Sequence, residues 1–331
     1  MADNEILVAV AGPMTGQYAV FGQHMKAGAD EAIASLNRAG GISGHKVRLL
    51  VEDDACDRAQ TISVAERLVE KGVALVVGHH CASASIAAAP IYAAAGIVMI
   101  SPGTTDPSLT DKRAGPSIFR LAWRDDGQGP SISGAYLAER FAGKRVAILH
   151  DRTQVGIQLA AATKKAMNAA GLFEAFYSGF IAGERDYSQL AGELRAQKID
   201  AVYLGAYPSE AHLIYAALRG TSQTTTLIGS HLLSQPGANV PVSLQSDGML
   251  VTTIASVDPG DRVGRAVSAN AHAAIEVWSQ AFKGDQRAMS SIQAGSFATI
   301  LGDVSFNKKG DVKVPYFKIH VWKGGELVPA P

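Results

Sequence analysis

The sequence predicts an α/β protein made of two doubly wound parallel-sheet lobes joined by a multi-segment hinge. Three observations carry this expectation. Aliphatic runs of five to seven residues alternate with amphipathic helical stretches, the mark of βαβ units with strands buried on both faces. The alternation restarts midway along the 331 residues, which suffice for two domains. Too little follows the second series to make a third domain, so the last segments must pack back on both lobes.

The first series begins with "ILVAVAG" before the helical stretch "GQHMKAGADEAIASLNRAG". "KVRLLVEDD" precedes "AQTISVAERLVEKG", "ALVVG" precedes "SIAAAPIYAAAG", "IVMISPG" follows, and "IFRLAWRDD" closes this half. "AGGISG" between the first helix and second strand reads as a helix C-cap and turn. The second series pairs "RVAILHD" with "GIQLAAATKKAMNAAG", "FEAFYSGF" with "YSQLAGELRAQK", and "AVYLGAY" with "SEAHLIYAALRG", then adds "TTLIGS" and "GMLVTT". One strong helix, "AHAAIEVWSQAF", a shorter one around "RAMSSIQAG" and the strands "GDVSF" and "YFKIHVWKGG" complete the chain. The expected lobes are 1–121 with 253–311 and 122–252 with 312–331.

Composition narrows the function. Lys and Arg equal Asp and Glu at 30 each with no long run of one sign, which disfavours a nucleic-acid binder. No apolar run approaches a membrane span. "MADNEILVAV" enters a strand at once, so the protein is either cytosolic or an exported one whose signal peptide has been replaced by a start Met. The two cysteines, Cys56 and Cys81, fit one disulfide or two free thiols. They follow the second and third strands. If those strands are neighbours, the ends lie within disulfide reach, about 5 Å apart. A bond there would stabilise the fold by roughly 3 kcal/mol in the chain-entropy model and favours an exported protein.

In open parallel sheets, ligands bind beyond the carboxyl ends of the strands, against helix N-termini. Those ends here are "GPMTGQYAVFG", "DDACD", "GHHCASAS" and "SPGTTDPS" in the first lobe, and "HDRTQVG", "GAYPSE" and "GSHLL" in the second. Exposed amides and hydroxyls at such positions hold an anion such as a carboxylate. Thr104 and Thr105 of "GTTDPS" are candidates; local capping is the plainer role. Phe21, Tyr207 and His231 lie on other strand-end loops.

Catalytic and metal readings fare worse. His79, His80 and Cys81 are adjacent, neighbours on an extended segment point oppositely, and no second cluster has ligand spacing; one histidine should face a cleft and the other pack. Asp53, Asp54 and Asp57 lack the ligand pattern of a calcium loop and suit capping and loop solvation. His150 and Asp151 have no serine on a nucleophile elbow. Neither phosphate-loop nor dinucleotide fingerprints occur. No metal and no cofactor are expected, and a complete catalytic set is missing.

The stretch from "GPMTGQYAVFG" to "DDACD", followed in order by "VVGHHCASAS", "MISPGTTDPSLT", "FRLAWRDDGQGP", "VAILHD" and "GDVSFNKKGD", resembles the periplasmic leucine/isoleucine/valine-binding proteins that supply ABC importers. The resemblance covers nearly the whole chain. It implies the type I periplasmic-binding fold, a three-segment hinge, a ligand trapped between lobes and, in many bacterial members, the disulfide Cys56–Cys81. It also implies a ligand carboxylate held by the loops His80 to Ser83 and Gly103 to Thr105. Gly103 and Thr105 match the pattern, while the usual serine is Ala82 with Ser83 beside it. Tyr207 matches a family tyrosine, and Phe21 keeps the first-lobe aromatic without its hydroxyl. Val155 stands where the family has an aromatic, and His231 where it has the acid that pairs with the ligand's α-ammonium. Only "DPGDRVGRAVSAN" fills a region where the family has a further helix and loop, and the aromatic that the family places near Asn270 to His272 is not found.

A buried ammonium without a carboxylate costs several kcal/mol. The resemblance with these departures therefore predicts a periplasmic, monomeric, non-enzymatic binding protein. It would take a small carboxylate, either a branched-chain amino acid or an aromatic or aliphatic acid without an α-amino group, and dock on an ABC permease. The alternative is a ligand-sensing receptor domain on the same fold.

Overall fold

The computed structural model describes residues 5–206, 208–220, 224–234, 247–254, 262–282, 288–313, 317–324 and 326–330. By internal contacts the chain forms two compact units, Met1–Arg124 with Val263–Val314 and Asp125–Arg262 with Pro315–Pro331. The chain therefore passes between units three times, at 124/125, 262/263 and 314/315. The segment Leu250–Ile254 pairs within the second unit's sheet, which carries that unit's boundary past the 252 expected from the sequence.

The first unit is built on a five-stranded, wholly parallel sheet. Its strands are β1 (Ile6–Gly12), β2 (Val47–Asp53), β3 (Leu75–Gly78), β4 (Val98–Ser101) and β5 (Ile118–Arg120), in the order β2-β1-β3-β4-β5. β1 and β3 read as unbroken apolar runs because helices cover both faces; Val8, Ala9, Val10, Ala11, Leu75, Val76 and Val77 are all inaccessible to solvent. The edge strand β2 is the one with exposed positions. The covering helices are α1 (Ala19–Arg38), α2 (Arg58–Glu70), α3 (Ala82–Ala94) and the single turn α4 (Ser108–Asp111). Asp57 caps α2, accepting from Gln60 N at 2.8 Å. Glycines at positive φ, Gly40 and Gly41, end α1, as "AGGISG" suggests.

The second unit's sheet runs β14-β13-β10-β9-β8-β6-β7. Its parallel strands are β6 (Val146–His150), β7 (Phe176–Gly179), β8 (Ala201–Gly205), β9 (Thr226–Gly229) and β10 (Leu250–Ile254). Two antiparallel strands, β13 (Phe317–Lys323) and β14 (Glu326–Pro329), extend it. Its helices are α5 (Gln128–Arg140), α6 (Gln154–Ala169), α7 (Ser188–Ala196) and α8 (Pro208–Arg219). Helices α9 (Arg262–Ala281) and α10 (Ala288–Ala294) and the hairpin β11 (Ser296–Thr299) with β12 (Gly302–Ser305) follow β10 in the chain. α9 returns to the first unit, lying so close to α1 that a Cβ on Gly28 would come within 2.0 Å of the Ser268 carbonyl.

Cys56 and Cys81 are joined, with Cα atoms 5.6 Å apart. The two strands, β2 and β3, are not the neighbours on which the expected disulfide reach depended, because β1 lies between them. The bond forms because the loops after β2 and β3 curl over the end of β1, with Ala55 and Cys56 at positive φ making the bend.

Candidate functional site

The carboxyl edge of the first sheet gathers most of the residues singled out above. Phe21 lies in the first turn of α1, just past the β1 loop. His79, His80 and Cys81 leave β3 and lead into α3. Gly103 to Thr105 follow β4. The rings of Phe21 and His80 stack at 4.4 Å between centroids, 15° from parallel. Gly103 closes against the other partner of this stack. A Cβ there would fall 2.1 Å from His80 Nδ1, so only glycine admits the ring.

His79 plays a different part. It is wholly buried, with Nδ1 2.5 Å from Asp54 Oδ2 and Nε2 3.2 Å from the Tyr92 hydroxyl. Burial, reinforced by the negative charges of Asp54 and Glu52, pushes Tyr92 far above its ordinary pKa, so its hydroxyl stays a donor. His79 thus bridges the protonated Tyr92 hydroxyl and the Asp54 carboxyl. Asp54 Oδ1 also accepts from Cys56 N at 2.8 Å. The expectation that Asp54 serves as loop solvation is thus corrected: it is buried and joins the β2 loop to the β3 loop. Asp53 accepts from Met14 N at 2.8 Å, Ala55 N at 2.9 Å and the Thr15 hydroxyl at 2.5 Å, which orders the β1 loop.

The His79 carbonyl collects three hydroxyls, from Ser101 at 2.7 Å, Ser85 at 3.1 Å and Thr104 at 3.3 Å. Thr104 also donates to the His80 carbonyl at 3.0 Å and touches the Ser85 hydroxyl. Thr104 is buried, and its hydroxyl is engaged inside the protein. Ser85 and Ser101, not singled out among the strand-end residues, tie the β3 and β4 loops together through the His79 carbonyl. In a trans peptide the N–H lies opposite the carbonyl, so the His80 and Cys81 N–H groups point away from these hydroxyls. The first four N–H groups of a helix have no partner within it. α3 begins with Cys81 as N-cap, which makes no side-chain cap bond, and its first turn holds no acidic residue. Ala82 and Thr105 are partly buried and Ser83 is exposed at this edge. The position near which the family aromatic was sought holds Asn270, whose amide donates to the Pro102 carbonyl at 2.9 Å.

In the second unit, Val155 is partly buried in the first turn of α6, whose N-terminus is already capped by Thr153, accepting from Gly156 N at 3.0 Å. Asp151 holds Thr153 through its N–H at 3.0 Å and hydroxyl at 2.6 Å, a structural task rather than a triad member's. His231 is buried at the start of a 3-10 turn (His231–Ser234), with its ring 5.5 Å from Phe317. Tyr207 lies outside the described residues. Among the described residues, no group of three or more His, Cys, Asp or Glu is placed to hold a metal, and no helix is long and apolar enough to cross a membrane.

Burial lowers both His80 and His231 to about 4 from 6.5, with Asp54 partly opposing the shift at His80. Both rings are neutral at pH 7. The unfolded chain takes up these protons near pH 6.5 and the folded chain only near 4. Their contribution to stability is therefore complete above 6.5 and is lost as pH falls through that window. The slope is at most about 1.4 kcal/mol per pH unit for each histidine, and smaller for the partly exposed His80. Thermal midpoints at pH 7, 5.5 and 4.5 should fall less steeply in His231→Phe than in the unchanged protein; parallel curves would refute the assignment.

The sequence profile of the family described as "Periplasmic binding protein" matches residues 5–301. The chain is 35% identical over 344 residues to a "Leu/Ile/Val-binding protein homolog 2" of Brucella abortus, covering 97% of this chain and 91% of that protein. In fold it is similar to an ABC transporter substrate-binding protein from Desulfitobacterium hafniense in complex with Leu, with a TM-score of 0.74 and 20% identity over 99% of this chain and 100% of that one. It is likewise similar to a solute-binding protein of an ABC transporter from R. palustris in complex with 4-hydroxybenzoate, with a TM-score of 0.68 and 20% identity over 99% and 96%. With the profile spanning most of the chain and a relative this close along its length, the chain belongs to the periplasmic binding proteins of the Leu/Ile/Val-binding kind.

Proposed function

We propose that this protein is the extracytoplasmic, monomeric solute-binding component of an ABC importer, and that its ligand is a small carboxylate without an α-ammonium group, an aromatic acid fitting best. It would bind without chemistry and deliver its ligand to a membrane permease. One observation carries the reading: the uncapped N-terminus of α3, with no acid in its first turn, stands beside a neutral aromatic stack of Phe21 and His80. Amides at a helix N-terminus favour an anion. A flat, uncharged stack favours a flat apolar body and gives an ammonium no counter-charge. The first unit's residues support the proposal by themselves.

Relatives named for leucine, isoleucine and valine favour a second reading, a branched-chain amino acid. The fold accommodates 4-hydroxybenzoate as well as leucine in the two solved relatives. Titration calorimetry separates the readings. We expect 4-hydroxybenzoate to bind at least about tenfold more tightly than leucine, a difference of about 1.4 kcal/mol. Tight leucine binding with no heat from the aromatic acid would replace the first reading by the second.

A further inference from the structure

We propose that Arg120 is a positioning residue for the ligand carboxylate: anchored on Asp311, it sets the backbone of the loop after β4. The proposal rests on the reading of that loop as part of the carboxylate site. Arg120 ends β5 and is inaccessible to solvent, so its donors must all be met inside the protein. Its Nε donates to Asp311 Oδ1 at 3.0 Å, and Nη2 donates to the same carboxylate and to the Thr110 hydroxyl. Nη1 reaches in the other direction, to the Asp106 carbonyl at 2.6 Å and, more loosely, the Thr104 carbonyl at 3.5 Å. One planar fork thus links two segments far apart in the chain. Backbone bonds hold it at the same place. Arg120 N donates to the Gly310 carbonyl at 2.9 Å, and the Arg120 carbonyl accepts from Val312 N at 3.2 Å.

The effect on the loop follows from peptide geometry. In a trans peptide the N–H points opposite to the carbonyl of the same plane. With the Thr104 carbonyl turned onto Arg120, the Thr105 N–H is directed away from the guanidinium. The next carbonyl on the fork belongs to Asp106, and Pro107 after it has no N–H to compete. Thr105 is therefore the amide whose direction the latch sets. Asp311 also takes Arg124 Nη1 at 3.3 Å, and Arg124 is the last residue before the chain leaves the first unit. A lysine could neutralise Asp311, yet it offers one point charge in place of a fork and cannot hold both the carboxylate and the two carbonyls.

Arg120→Lys and Thr110→Val test this in the full chain, the second variant removing one anchor with little change of shape. Hydrogen–deuterium exchange of peptides spanning residues 101–107 in ligand-free protein reads the latch without any ligand. Exchange there should rise about tenfold in Arg120→Lys and about threefold in Thr110→Val, with β1 and β3 unchanged. The Kd for 4-hydroxybenzoate should rise about ten- to hundredfold and three- to tenfold respectively. If Arg120→Lys does not fold, Thr110→Val decides alone. Loop exchange unchanged while exchange rises across the whole first unit would show a merely structural arginine and overturn the proposal. An unchanged protein that binds no aromatic acid, together with faster loop exchange in the variants, would overturn the ligand reading and leave the latch standing.

Discussion

Replacing Asp54 by alanine is expected to lower the unfolding free energy by about 3–5 kcal/mol, the cost of breaking a buried, hydrogen-bonded ionisable pair by removing one partner. The carboxyl is fully buried and meets two donors, His79 Nδ1 at 2.5 Å and Cys56 N at 2.8 Å. Alanine leaves both unmet in a place water does not reach, and unmet buried donors are costly. Asp54→Asn keeps an acceptor for Cys56 and should cost about half as much. Replacing both partners together, Asp54→Leu with His79→Phe, should recover part of the loss, because no polar group is then stranded. Urea unfolding at pH 7 with an unchanged m-value measures each step. A loss below about 1 kcal/mol in Asp54→Ala would mean that the pair is not the clamp between the β2 and β3 loops.

Placing an acid at the start of α3 gives the sharpest test of the ligand's charge. Ala82→Asp puts a carboxylate in the first helical turn, where it should stabilise the protein by about 0.3–1 kcal/mol through the helix dipole. The same carboxylate would occupy the amides proposed for the ligand and repel its acid group. Binding of 4-hydroxybenzoate should weaken at least about a hundredfold, a change of about 2.7 kcal/mol. The opposite signs matter: a variant that melts no lower yet no longer binds shows that the site was lost and the fold was not. Retained binding in Ala82→Asp would remove the helix start from the site.

Much of the architecture was legible because buried parallel strands must be apolar along their whole length, as "ILVAVAG" and "ALVVG" are. Helix α5 was not legible. Its sequence, "QGPSISGAYLAER", contains two glycines, a proline and two serines, poor helix formers with no apolar stripe. Those small residues are the reason it forms there. Gly129, Pro130, Ser133 and Gly134 are buried, and a Cβ on Gly134 would meet Met167 N at 2.7 Å, so α5 lies backbone to backbone on α6. Strand order was also beyond the sequence, which is why β2 and β3 could be taken only conditionally as neighbours. At the site, the glycine, threonine and helix-start pattern placed the loops. What periodicity could not show was which polar groups face one another. Thr104 reads as a free hydroxyl until Ser85, Ser101 and the His79 carbonyl are seen around it, and Asp54 reads as a loop residue until His79 is found beside it 25 positions on.

The covalent link between Cys56 and Cys81 ties together the loops of two strands that never touch, bridging over the tip of the strand made first. Sealing that bridge early, while β1 is still unpaired, would let β2 and β3 close on each other at ordinary neighbour spacing, about 4.8 Å, and strand the earliest segment at the rim. With β1 seated, the bond instead fixes the loops after β2 and β3 across its end, so one covalent tie holds three strand ends in place.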